Sequence, residues 1–265
     1  MIGIVQGRLT YSGKKLQSFP KDPYSEFSLA SKLNYDYIEF FSERNLNKKN
    51  PIWSEQGIKK YLLLSKKYNL KIYSFCDNYV IKNSISNKKT LKYILHILDR
   101  LSLLKVKKYI IPLYEKSEFS NKGKTKIIKN LRAISKKCIK LKIKLLVESD
   151  MSPNDFFELK KTVNSKNIFF LFDSGNRSAL KRNFINDILK FGNQIKLVHL
   201  KDKDKYKKNV LIGKGIVDFN ALFKNLKNIN YKGNFTIESQ RGTNISKQAK
   251  KNYIFFKNLI LKNKI

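Results

Sequence analysis

A single (β/α)8 TIM barrel of the α/β class, with residues 1–265 forming one domain, is the fold this sequence predicts. Strand-like and helix-like runs alternate eight times along the chain, and eight β-then-α units in about 250 residues is the size of one such barrel. The last four strand-like runs are almost continuously apolar, as expected of strands buried on both faces of a parallel sheet. An open doubly wound sheet is the alternative. No GxGxxG follows the first strand, and eight units suit closure better.

Taken in order, Ile2–Gln6 reads as the first strand and Tyr24–Leu33 as the helix after it. Tyr37–Phe41 leads to a helix at Glu55–Tyr68, with Ser54 placed as its cap. Lys71–Phe75 leads to Lys88–Leu104, and Lys108–Leu113 to Lys124–Leu141. After the strand Lys144–Glu148, Ser152 and Pro153 supply a cap and a first-turn proline for Pro153–Thr162. Ile168–Asp173 precedes Phe184–Phe191, and Ile195–Leu200 precedes Phe219–Asn228, which Asp218 caps. Asn234–Glu238 and Ile245–Leu261 complete the eighth unit.

Composition narrows the function. The formal net charge is +36 and the pI about 10.0. A polyanion-binding protein would explain it, but the lysines are spread along every helix. Arginine, favoured for bidentate phosphate and base recognition, stands only at positions 8, 44, 100, 132, 177, 182 and 241. No nucleic-acid partner is therefore expected. The positive field still favours an anionic small molecule such as a sugar phosphate. MIGIVQGRLT turns polar at once and no apolar run approaches the roughly 18 residues of a membrane span. A soluble, cytoplasmic protein without membrane contact is expected, its two cysteines, Cys76 and Cys138, being free buried thiols.

Four of the apolar runs each deliver one metal-type ligand. LLVES carries Glu148, FFLFD ends in Asp173, KLVHL carries His199 and FTIES carries Glu238. Strand C-termini of such a barrel converge on one face, so these residues are expected to meet there. Three carboxylates and an imidazole brought together call for a cation. One divalent ion (Mn, Zn, Co or Mg) is the expected cofactor. Asn176, three residues beyond Asp173, is placed to direct its amide at a substrate hydroxyl, and Gly175 suits a tight turn. The second histidine, His96, lies inside YILHILDRL and reads as a packed or half-exposed helix residue.

Two carboxylates flanking a metal-held substrate suggest proton transfer beside a carbonyl through an ene-diolate. Glu148 and Glu238 are the expected acid/base pair. Return of the proton to the same carbon gives epimerisation, and return to its neighbour gives aldose–ketose isomerisation.

The motifs DSGN, VHLKD and GKGIVDFNALFKNLKNINYKGNFTIE resemble those of the sugar phosphate isomerase/epimerase family of xylose-isomerase-like TIM barrels. Within it the chain is similar to hexulose-6-phosphate isomerases and L-ribulose-5-phosphate 3-epimerases. GIVQGRL, Phe19-Pro20, YIEFF and NPIWSEQGI resemble bacterial members linked to surface-sugar pathways. The resemblance implies that Glu148, Asp173, His199 and Glu238 hold the metal and that the two glutamates are the acid/base pair. It adds Gln6, Arg8, Glu39, Asp77, Lys201 and Arg241 as substrate-facing positions, with Asp202 completing an H-x-K-D element. Related ketose 3-epimerases often have histidine where this chain has Asn176, which points to the sugar-phosphate branch.

The expected activity is a metal-dependent isomerase or epimerase of a ketose or sugar phosphate, with an anionic carbohydrate as substrate. Two alternatives share the site: an isomerase or dehydratase of an unphosphorylated hydroxy-carbonyl compound of hydroxypyruvate or inosose type, and a barrel that binds sugar or polyanion without turnover. A three-zinc nuclease of the same fold needs several histidines, and two cannot supply them. Exposed faces of such barrels commonly mediate association, so a homodimer is the expected assembly.

Overall fold

Short apolar runs separated by lysine-rich amphipathic helices have one good way to bury their side chains: parallel strands inside, helices outside. The computed structural model has that arrangement and describes residues 1–11, 13, 16–119, 123–180 and 183–265. Its strands are β1 (Ile2–Val5), β2 (Tyr37–Ser42), β3 (Lys71–Asp77), β4 (Lys108–Pro112), β5 (Lys144–Glu148), β6 (Ile168–Asp173), β7 (Ile195–Leu200), a short pair β8 (Asp202–Lys203) and β9 (Asn209–Val210), and β10 (Asn234–Ile237). Eight of them close a barrel in the order β1-β10-β7-β6-β5-β4-β3-β2. The expected strands are all present, each within two residues of its expected end.

Two compact units divide the chain. The first holds Met1–Glu39, Tyr68–Lys71 and Phe170–Ile265. Its ladders run parallel, pairing β1 with β2 and β10, β10 with β7, and β7 with β6. Helices α1 (Ser25–Lys32), α7 (Ser174–Ser178), α8 (Phe184–Phe191), α9 (Phe219–Asn228) and α10 (Ile245–Asn263) belong to it. Gly3 is required here. A Cβ at this position would stand 2.2 Å from the ring of Tyr37, whose hydroxyl donates to the Phe235 carbonyl at 2.9 Å.

The second unit holds Phe40–Lys67 and Ile72–Phe169, with parallel ladders from β3 through β4 to β5. Helices α2 (Glu55–Lys67), α3 (Tyr79–Lys82), α4 (Lys88–Leu103), α5 (Lys124–Lys140) and α6 (Pro153–Val163) belong to it. His96 on α4 is exposed and stacks on Trp53 at 5.7 Å. Cys76 and Cys138 are buried thiols outside any disulfide.

Local signals explain most boundaries. Ser152 and Asp155 form a reciprocal capping box at α6, and Asp218 accepts from Ala221 N at 2.9 Å at the start of α9. Asn34, Asn69, Asn164 and Asn230 take the left-handed conformation just after α1, α2, α6 and α9. Asparagine tolerates that conformation and so does the work glycine usually does at helix ends. No helix among the described residues is long and apolar enough to cross a membrane.

Candidate active site

In the first unit, strand register brings the polar ends of apolar strands together. Asp173 pairs with His199 between β6 and β7, and His199 pairs with Thr236 between β7 and β10. Glu39 pairs with Val5 at the end of β1, and Glu238 follows β10 directly, its N–H donating to Leu200 O at 3.1 Å. All four polar residues are at least 96 % buried: Glu39, Asp173, His199 and Glu238 expose 0, 1, 1 and 4 % of their surface. Charges held this deeply must compensate one another.

They do so in a chain of contacts. His199 Nε2 is 2.8 Å from Glu39 Oε1, and His199 Nδ1 is 3.0 Å from Glu238 Oε2. The Lys201 ammonium lies 2.8 Å from Asp173 Oδ2 and 3.2 Å from Glu238 Oε2. Gln17 Nε2 donates to Glu238 Oε1 at 2.8 Å, and Arg8 Nη2 stands 3.7 Å from the same oxygen. Thr236 Oγ1 donates to Glu39 Oε2 at 3.2 Å.

The electrostatics follow from this geometry. Burial works to raise the Glu238 pKa, but Lys201, then His199 and Arg8, outweigh it and hold the carboxyl well below its ordinary value. Burial works to lower the His199 pKa, yet Glu39 and Glu238 raise it well above the usual histidine range. Burial brings Arg8 down to about 10, so it stays charged at neutral pH.

The residues present fit a divalent ion. Both ring nitrogens of His199 lie beside carboxylate oxygens without a well-directed hydrogen bond. Asp173 and Glu238 already share one cation, the Lys201 ammonium. Carboxylate oxygens with one imidazole are the donors that Mg, Mn, Co and Zn accept.

The other expected residues are placed as follows. Glu148 ends β5 in the second unit; it is buried, and Tyr114 Oη lies 3.5 Å from its Oε1. Asn176 sits on α7, where its backbone N–H donates to Asp173 Oδ1 at 2.8 Å. Asp173 thus caps a helical turn, and Gly175 lies within that turn and does not form the tight turn expected of it. Gln6 and Arg8 follow β1 and are buried. Arg241 donates from Nε to Gly7 O at 2.7 Å and from Nη2 to Leu16 O at 3.0 Å, which ties its guanidinium to backbone. Asp77, in the second unit, is enclosed by the hydroxyls of Ser42, Tyr93 and Tyr109. Burial raises its pKa to about 6 against the lowering effect of those hydrogen bonds.

Two polar positions beside the array, Gln17 and Glu26, escaped sequence reasoning. Gln17 lies in a polar, aperiodic stretch that carries no signal. Glu26 looks like an ordinary first-turn helix acid, yet it accepts from the N–H groups of Gly7, Leu9 and Thr10 and shapes the loop after β1. Asp202 was legible only as part of H-x-K-D. It is fully buried and accepts from the N–H groups of Gly213, Gly215 and Val217, joining VHLKD to GKGIV.

A family profile described as xylose isomerase-like TIM barrel matches residues 27–259. The chain belongs to that family. This family member also resembles solved structures of low sequence identity. A xylose isomerase domain protein from Planctomyces limnophilus superposes with a TM-score of 0.79 at 14 % identity, covering 98 % of this chain and 97 % of that one. D-psicose 3-epimerase from Clostridium cellulolyticum H10, solved with D-tagatose, gives 0.78 at 14 % identity, covering 98 and 99 %. The IOLI protein, solved with a zinc atom, gives 0.74 at 16 % identity, covering 99 and 97 %. No curated protein matches the chain in sequence.

Proposed function

We propose that this chain, acting as one domain, is a metal-dependent sugar isomerase or epimerase that moves a proton beside a carbonyl through an ene-diolate. The observation that carries this reading is the buried array of Glu39, His199, Glu238, Lys201 and Asp173. An array of charges at strand C-termini is costly to fold and suits chemistry better than stability.

In this reading Glu148, Asp173, His199 and Glu238 hold the ion. Glu148, Asp173 and His199 are each buried and each offers one ligand atom. Bound there, a divalent ion supplies Lewis acidity toward a carbonyl and its neighbouring hydroxyl. Glu238, kept ionised, takes the carbon-bound proton, and either Glu238 returns it to the neighbouring carbon or Glu148, entering protonated, delivers one to the opposite face. Glu39 orients the His199 ring. Lys201 and Asn176 meet substrate oxygens from the β7 and β6 ends, Gln6 and Arg8 from the β1 end. Asp77 and Arg241 act on the same substrate through the loops they anchor.

The D-psicose 3-epimerase and zinc-bearing IOLI structures support the substrate class and the cofactor by analogy of fold. The net charge of +36 favours an anionic carbohydrate, and the buried thiols outside any disulfide favour a cytoplasmic location. The test is turnover of a panel of ketoses, ketose phosphates and hydroxy-keto acids, before and after chelation and metal return. Chelator-sensitive isomerisation or epimerisation is expected; full activity in chelator would sink the metal-dependent reading.

A further inference from the structure

Two buried polar side chains after β1 carry atoms that make no hydrogen bond among the described residues. Gln6 is 1 % exposed, and neither its amide nitrogen nor its amide oxygen makes a hydrogen bond. Arg8 is 2 % exposed and commits Nη1 to the Leu16 carbonyl, while Nε and Nη2 make no hydrogen bond. Buried polar groups are normally satisfied, so unsatisfied ones two residues apart after the same strand point to a ligand.

The free atoms of Arg8 have a particular geometry. Nε and Nη2 form the side edge of the guanidinium, two parallel N–H groups that match the two oxygens of a carboxylate. Glu238 Oε1 lies 3.7 Å from Nη2, too far for a hydrogen bond and near enough to place any bound anion beside the reacting centre.

Charge limits what that anion is. Glu238 Oε1 stands 3.7 Å from Arg8 Nη2, so an anion at this edge sits beside a carboxylate as well as a guanidinium. That position favours a single negative charge over two. A phosphate dianion held next to Glu238 meets repulsion and finds only one guanidinium edge.

We propose that Gln6 and Arg8 form a subsite for a carboxylate of the substrate, which is therefore an acidic hydroxy-carbonyl compound, a keto acid or uronate-type sugar. This rests on the isomerase/epimerase reading. Arg8 grips the carboxylate side-on, and the Gln6 amide meets an adjacent hydroxyl or carboxylate oxygen.

Two measurements test it on the full chain and on Arg8→Met and Arg8→Lys. First, glycolate, the smallest hydroxy acid, is titrated calorimetrically into chelator-treated protein. Second, metal-loaded protein is assayed on one ketohexose, its 6-phosphate and the corresponding 6-carboxylate. The subsite predicts that the carboxylate sugar is preferred, that Arg8→Met raises its KM at least about 30-fold with a smaller change in kcat, and that glycolate binding is lost. Arg8→Lys, which keeps the charge and loses the edge, falls between. Equal or better use of the phosphate, or glycolate affinity indifferent to both substitutions, overturns the subsite. Turnover of the uncharged ketose with no effect of Arg8→Lys keeps the isomerase reading and removes the subsite. Arg8-dependent glycolate binding with no sugar turned over keeps the subsite and removes the isomerase reading.

Discussion

Glu39 and His199 meet at 2.8 Å, Oε1 to Nε2, with both side chains buried. A carboxylate on one ring nitrogen fixes the plane of the imidazole and raises the basicity of the other nitrogen. Glu39→Gln is therefore expected to weaken divalent-ion binding about 10–100-fold, as read by competition with a chromophoric chelator. Wild-type affinity in that variant would remove Glu39 from this role.

Glu148→Gln and Glu238→Gln are each expected to lower kcat by about 10²–10⁴-fold, the usual contribution of a positioned acid or base. Solvent deuterium is expected to enter the product at the carbon beside the carbonyl. Product free of label from active wild-type protein would argue for hydride transfer instead.

Glu26 holds the loop after β1 by accepting from Gly7 N at 2.7 Å, Leu9 N and Thr10 N at 3.2 Å, and Thr10 Oγ1 at 2.9 Å. Glu26→Ala strands these donors and is expected to cost about 3–5 kcal/mol in urea unfolding. Glu26→Gln keeps one acceptor oxygen and is expected to cost less. Equal losses in the two variants would show that the carboxylate's hydrogen bonds are not what holds the loop.

Asp77, in the second unit, supplies a pH test. Its folded pKa of about 6 stands above the ordinary 3.8, because burial outweighs the hydrogen bonds from Ser42, Tyr93 and Tyr109. The folded state therefore binds this proton more tightly than the unfolded state. The resulting stabilisation is fully present below about 3.8 and is lost as pH rises through about 6. Two pKa units correspond to about 3 kcal/mol. Comparing unfolding free energies from pH 4 to 7, Asp77→Asn should flatten the profile by roughly that amount. An unchanged slope would place the Asp77 pKa near its ordinary value.

The fold was legible because each strand is an apolar run with a turn signal behind it, a pattern that helices and loops do not share. His199 and the carboxylates stood out for a related reason: a lone polar residue at the end of a buried strand has little structural purpose. What ties them together was not legible. The Glu39–His199 contact depends on β2 and β7 reaching one place from opposite sides of β1 and β10, and no local spacing encodes that. Gln17 arrives from an aperiodic loop. The β8–β9 hairpin lies in KDKDKYKKNV, where alternating charges hide the strand period, and the Asp202 carboxylate ties it to the following loop by accepting from Gly213 N and Gly215 N.

If the array takes a divalent ion, as proposed, the Lys201 ammonium, shared between Asp173 and Glu238, separates folding from metallation. Many metal sites assemble only when the ion arrives, because their ligands repel one another until then. Here the polypeptide carries its own counter-ion, so the strand ends can pack before any metal is acquired. Loading the ion becomes an exchange of partners within a finished barrel. A cell short of divalent metal would then hold this protein as a folded, dormant reserve, ready to be switched on by supply alone.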